Sequence, residues 1–214
     1  MIRPNRREIY MRLNAAVLAI VISCTTAFAQ NESNKPSAQP DQKIFASSQQ
    51  STEMKKFIDT FAGRWKVTMH LYKGDWFPQD GTAKGVGDLQ AGPAGNSLAE
   101  SVRSSGVAGN FAGRGLYWYD KQAGAYTGIW CDSMDPNGCG TVGKGKFDGN
   151  NFVFENVIDM GTMKMHIRQT FSNFTPNSHD VLMEAGMGDG PLKKMMEMHY
   201  ERATGARGAG AGKQ

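Results

Sequence analysis

The residue types best able to do chemistry in this chain are two neighbouring cysteines, four histidines and a set of clustered methionines. Cys131 and Cys139 bracket the segment "CDSMDPNGC". A Cys-x7-Cys spacing lacks the second pair that a structural zinc site needs, and it is not the Cys-x-x-Cys of thiol oxidoreductases. In the oxidising compartment implied by the leader described below, the default is a disulfide between the two. Closing so short a loop contributes roughly 2 to 3 kcal/mol in the chain-entropy account. Asp132, Asp135 and Asn137 lie between the cysteines, but their spacing is not Asp-x-Asp-x-Asn-Gly and no closing Glu follows. "DPNG" reads as a turn, with Pro136 setting φ and Asn137-Gly138 tolerating positive φ. No metal or cofactor site is predicted here.

The other clusters are "MGTMKMH" (Met160, Met163, Met165, His166) and "MMEMH" (Met195, Met196, Met198, His199). Thioether and imidazole together suit Cu(I), so a copper-handling protein is one alternative. Methionine also fills irregular apolar interiors and adapts to varied ligands. Strand alternation decides between the two readings, because residues two apart share a face. Met163 and Met165 alternate with Lys164 and His166, and Met196 and Met198 alternate with Glu197 and His199, so the thioethers and imidazoles fall on opposite faces. By the same parity His70 and His199 point outward, and His179 sits in the "TPNSHD" turn. All four histidines are expected outside, which disfavours a haem-binding or hydrolytic barrel enzyme, the remaining alternative. Catalytic residues are predicted to be none. There is no Gly-x-Ser-x-Gly elbow, and "GVGDLQAG" lacks the Lys-Ser/Thr and following helix of a phosphate-binding loop.

The elements that must position these residues are mostly strands. One helix is legible in "STEMKKFIDTFAG", with Ser51 as cap, Met54, Phe57, Ile58 and Phe61 on one face and Gly63 at the end. From Arg64 the period becomes two: Trp65, Val67, Met69 and Leu71 alternate with polar residues, as do Met163, Met165, Ile167 and Phe171. Turn signals recur in "KGDWFPQDG", "DKQAGA", "FDGNN", "FTPNS" and "GDGP". About ten short strands joined by tight turns predict an all-β fold, an antiparallel up-and-down barrel preceded by one short amphipathic helix, since closure removes exposed edges.

Flanking segments set the address. Residues 1–29 read as a signal peptide: a basic start, the apolar run "AAVLAIVIS", and Ala27-Phe28-Ala29 as the cleavage site. A periplasmic or secreted product beginning at Gln30 is expected. A lipid anchor at Cys24 in "VISC" is the alternative, and Met11 is a second candidate start. Residues 30–50 are Ser-, Gln- and Pro-rich and read as a linker, 51–202 as the barrel domain, and 203–214 as a disordered tail. Removing the leader's four Arg and one Glu from 24 basic and 20 acidic residues leaves a net charge of +1. No Lys/Arg block interleaved with aromatics remains to suggest nucleic acid.

"FAGRWKV", "GLYWYDKQAGAYTGIWCDSM", "MKMHIRQTF" and "KKMMEMHYER", in that order, resemble the bacterial domain of unknown function 1579 family from about Glu53 to Arg202. Its most telling piece is Gly-x-Trp-x-Asp-Ser at Gly128, Trp130, Asp132 and Ser133. The resemblance implies a lipocalin-like, calycin-type barrel. In that setting Gly63-Arg64-Trp65 matches the Gly-x-Trp of the first lipocalin strand, and Arg202 the last-strand Arg that packs over the Trp ring. The family's name records no function. The expectation is therefore an exported, non-enzymatic domain binding a small apolar or amphipathic ligand. The predicted lining is Met69, Met163, Met165, Met183, Met196, Met198 and Tyr200, with Trp130 near the mouth.

Overall fold

The computed structural model describes residues 49–135 and 138–203. The leader, Cys24 and residues 30–48 of the linker lie outside the described residues, as do 204–214 of the tail.

Helix α1 (Thr52–Phe61) begins as the sequence predicts, with Ser51 Oγ accepting from the Met54 amide at 3.1 Å. That bond satisfies one of the donors a helix start leaves unpaired. Met54, Phe57 and Phe61 are buried. The helix ends at Ala62 in extended backbone, and Gly63 already belongs to the first strand with φ of 140°. A side chain at Gly63 would adopt an unfavourable φ and meet the Arg202 guanidinium, so glycine is required twice over.

Ten antiparallel strands follow: β1 (Gly63–Leu71), β2 (Gly81–Ala91), β3 (Ser97–Gly106), β4 (Gly109–Asp120), β5 (Ala125–Asp132), β6 (Gly143–Asp148), β7 (Asn151–Asp159), β8 (Lys164–Ser172), β9 (Ser178–Met187) and β10 (Lys193–Arg202). Each pairs with its neighbours in chain order, and β10 closes on β1 from Trp65 opposite Arg202 to Leu71 opposite Met196. The fold is a closed up-and-down barrel of the all-β class, as predicted. Its core is the lumen. β1 alternates buried Trp65, Val67, Met69 and Leu71 with exposed residues, the period-two pattern a one-sided wall requires.

The ladder is thinnest between β5 and β6, which pair only from Tyr126 to Gly128. Beyond that point residues 138–140 fold back onto β5. The Asp132 amide donates to Gly138 O at 3.0 Å and the Gly140 amide to Trp130 O at 2.8 Å. Cys131 and Cys139 oppose each other there and form the predicted disulfide. The covalent link holds the edge that β6 leaves uncovered.

Candidate functional site

Helix α1 closes one end of the lumen. At the closed end α1 lays Phe57 and Phe61 into an aromatic cluster with Tyr126, Phe152 and Phe171, ring centroids 4.8–5.7 Å apart. Tyr126 Oη donates to Glu53 O at 2.9 Å, fastening the helix start to β5. Trp65 is 1% exposed, its Nε1–H donates to Phe61 O at 2.9 Å, and the Arg202 guanidinium stands 4.2 Å from its ring centre. Arg202 is itself held by donation from Nη1 to Ala62 O and from Nε to Pro176 O, each at 3.0 Å. The Trp65 indole and the Arg202 guanidinium are thus both held by backbone carbonyls.

Deeper in the lumen the polar groups are not. Glu100 on β3 faces inward between Leu98 and Val102, and the Tyr117 hydroxyl on β4 donates to its Oε2 at 2.9 Å. Two glycines make this pair. A Cβ on Gly115 or Gly128 would collide with the Tyr117 ring, so the ring lies flat on both and its hydroxyl reaches Glu100. Burial pushes the Glu100 carboxyl up to about 7, against the lowering effect of the Tyr117 hydrogen bond. Burial likewise raises Tyr117 well above its ordinary value. Around the pair lies a cleft of about 390 Å³, counting space open to solvent, of which about 20 Å³ admits a water-sized group. Gln169, Tyr200 and His179 border it, together with Phe57, Phe61, Phe152 and Phe154.

His179 is the clearest departure from the sequence reading. It was expected outside, in a turn. Instead it is 3% exposed, stacked on Tyr200 with ring centres 4.6 Å apart and edge-on to Trp65 at 4.8 Å. The reason is local. Thr175 Oγ1 accepts from the Asn177 and Ser178 amides and ends the turn one residue early, so His179 is an interior position of β9 in phase with Val181. Its Nδ1 has no partner, and burial lowers its pKa to about 4 despite the opposing effect of Asp180. The imidazole is therefore neutral at ordinary pH.

The predicted lining divides. Tyr200 borders the cavity directly. Met69 is buried; Met165, Met183, Met196, Met198 and Trp130 are half-buried. Met163 does not line the barrel: it precedes β8 in the turn and is 54% exposed, because the strand starts only at Lys164. In β10 the register shifts between Lys194 and Met196, yet His199 stays outside and accepts or donates at 2.6 Å with Asp180. Met160, Met163 and His166 are exposed while Met165 turns in, so the wall separates Met165 alone of these thioethers from the imidazole. Among the described residues no group of three His, Cys, Asp or Glu could hold a metal ion. The space at His179 is far too small for a porphyrin.

The Gly-x-Trp-x-Asp-Ser pattern acquires a structural meaning. Gly128 seats the Tyr117 ring, and Trp130 Nε1–H donates to Asp132 Oδ2 at 2.9 Å. Asp132 Oδ1 accepts from the Met134 and Asp135 amides, and Ser133 Oγ from the Ala112 amide. The Asp132 carboxylate is thus spent on its own turn, which removes the main calcium candidate.

The family described as "Protein of unknown function (DUF1579)" matches residues 50–202. The chain belongs to the DUF1579 family. No curated protein matches it. Among solved structures, this DUF1579 domain is similar to Rv2717c from M. tuberculosis, with TM-score 0.51 and 10% identity over 72% of this chain and 99% of that one. That likeness is one of fold. It is also similar to the S-type phycobiliprotein lyase CPES from Guillardia theta, with TM-score 0.47 and 12% identity over 71% and 93% of the two chains. A redesigned β-barrel, mFAP0, bound to DFHBI, gives TM-score 0.36 and 13% identity over 66% and 97%.

Glu100, Tyr117 and Gln169 were not singled out from sequence, and His179 was weighed there only as an outside residue. A signal existed for two of them: Leu98-x-Glu100-x-Val102 and Ile167-x-Gln169-x-Phe171 each put a polar residue in phase with apolar neighbours on a strand.

Proposed function

We propose that this DUF1579 domain binds a small amphipathic molecule inside its barrel, outside the cytoplasm. One observation carries the reading: a carboxyl group held by a tyrosine hydroxyl sits inside a largely aromatic lumen, beside a residual cavity. Placing a carboxyl in a largely apolar interior costs stability, so an interior that served only as packing would have an apolar side chain at Glu100. A polar head held at Glu100 with an apolar portion against the methionines accounts for both features. The resting cavity admits only a water-sized group, so anything larger must displace side chains. Met183, Met196 and Met198, unbranched and half-buried, can do so at small cost. The disulfide supports an oxidising location. Among the described residues no helix is long and apolar enough to cross a membrane.

The test is solvent extraction and mass spectrometry of chain purified from its native host, followed by thermal-shift titration with fluorescent acyl probes. A co-purifying amphipath, or saturable stabilisation by a probe, is expected. An empty barrel indifferent to every probe ends the proposal.

A further inference from the structure

Resting on that ligand-binding reading, we infer the chemistry of the head group: the polar point of the lumen is a receptor for a primary ammonium, the –NH₃⁺ of an amphipathic amine whose chain runs outward past Met183, Met196 and Met198. The argument has three parts.

The first is charge. Among the described residues that border the cavity, Glu100 is the one carboxylic acid and none is Lys or Arg. Its Oε2 accepts from Tyr117. A half-buried carboxylate gains from a partner of opposite charge. A cationic head group supplies that partner.

The second is donor count. An ammonium offers three donors and no acceptor. Glu100 Oε1, the Gln169 side-chain carbonyl and the Tyr117 and Tyr200 oxygens can all accept, and neutral His179 carries an unpartnered Nδ1 on the same cavity. The rings of Phe57, Phe61, Phe152 and Phe154 add faces that attract a cation. Gln169, Tyr200 and His179 can also donate, so it is the charge of Glu100 that sets the preference for a cation over an anion.

The third is size. About 20 Å³ is the room a single water needs. A primary ammonium is of that size; a trimethylammonium or a guanidinium is not. Gln169 pairs directly with Met183, and Met183 with Met196, so a chain leaving the head group meets the adaptable part of the wall at once.

Binding should also track the ionisation of Glu100. The titratable groups facing it are Tyr117 from β4, Tyr200 from β10 and His179 from β9, and all three are neutral near pH 7; β8 offers Gln169, and β7 and α1 offer only phenylalanines. With Glu100 titrating at about 7, affinity for an amine rises about tenfold from pH 6 to pH 8.

Calorimetric titration of the full chain with octylamine, octanol, octanoate and octyltrimethylammonium tests this at pH 6 and pH 8. Octylamine should bind at least about tenfold tighter than the other three at pH 8, and Glu100→Gln should abolish that preference over octanol. Tyr117→Phe should weaken octylamine selectively. If octanol or octanoate binds as well as octylamine, or if Glu100→Gln keeps the preference, the ammonium assignment is overturned and the ligand-binding reading survives. If none of the four binds, both fall. Should Glu100→Gln not fold, the wild-type pH profile decides alone: an octylamine affinity flat from pH 6 to pH 8 overturns the assignment.

Discussion

The closed end and the middle of the lumen are built from the same kinds of residue and treat polar groups in opposite ways. At the closed end Trp65 Nε1, Arg202 Nη1 and Arg202 Nε each donate to a backbone carbonyl of a neighbouring segment, so the indole and guanidinium lock the helix and the last strand to the first. In the middle, Glu100 has one partner and His179 Nδ1 has none. A satisfied buried polar group specifies packing; an unsatisfied one costs stability unless something else completes it. The contrast separates the part of the barrel that maintains the fold from the part available for a ligand.

The largest expected effect tests the closed end. Trp65→Ala should destabilise the chain by about 3 to 5 kcal/mol, as removal of a fully buried aromatic does, read by urea denaturation. A loss under about 1 kcal/mol would mean that this corner does not carry the fold.

The next probes the middle through pH. Because the folded pKa of Glu100 is raised from 4.5 to about 7, the native state binds more protons than the unfolded state across that interval, and this group's contribution falls as pH rises through it. Glu100→Gln should remove that fall and leave the unliganded variant more stable than wild type at pH 8 by roughly 2 to 3 kcal/mol. If the variant is less stable at pH 8, the carboxylate has a protein partner and the contrast fails.

Reduction of Cys131–Cys139, or Cys131→Ser with Cys139→Ser, should cost roughly 2 to 3 kcal/mol while leaving the far-UV spectrum unchanged. Its thermal melt distinguishes a staple on the β5 edge from a residue pair that matters elsewhere, which would perturb the spectrum.

His179 belongs to both regions, since it packs on Trp65 yet carries an orphan nitrogen. Its pKa is depressed from 6.5 to about 4, so the unfolded state takes up a proton that the native state refuses, and stability is lost as pH falls through that window. His179→Phe should recover about 1 to 2 kcal/mol at pH 5 and change little at pH 8, measured as the difference between melts at the two values. Equal effects at both would assign the imidazole to packing alone.

Much of the fold was legible because it rests on short-range patterns. Ser51 followed by apolar residues at helical spacing, and Trp65-x-Val67-x-Met69-x-Leu71 at period two, each encode a face, and ten such faces with turns between them can bury their apolar sides only by closing. Met163 was misplaced because parity says which face a residue takes and not where the strand begins. His179 was misplaced because a threonine hydroxyl ended its turn one residue sooner than composition suggested. The polar centre escaped notice for a different reason: Glu100, Tyr117, Gln169 and His179 come from β3, β4, β8 and β9, and nothing in a linear reading brings those strands to one point.

The amino-acid sequence by itself determined the strands, the helix and its capping, the Cys131–Cys139 pairing and the family, since each depends on neighbours along the chain or on residues a few positions apart. Only the tertiary structure decided what the lumen holds. Closure of β1 on β10 and the space over Gly115 and Gly128 bring a tyrosine hydroxyl to a carboxylate and leave a water-sized gap beside it. That gap is a property of ten strands packed together, and no segment of the chain contains it.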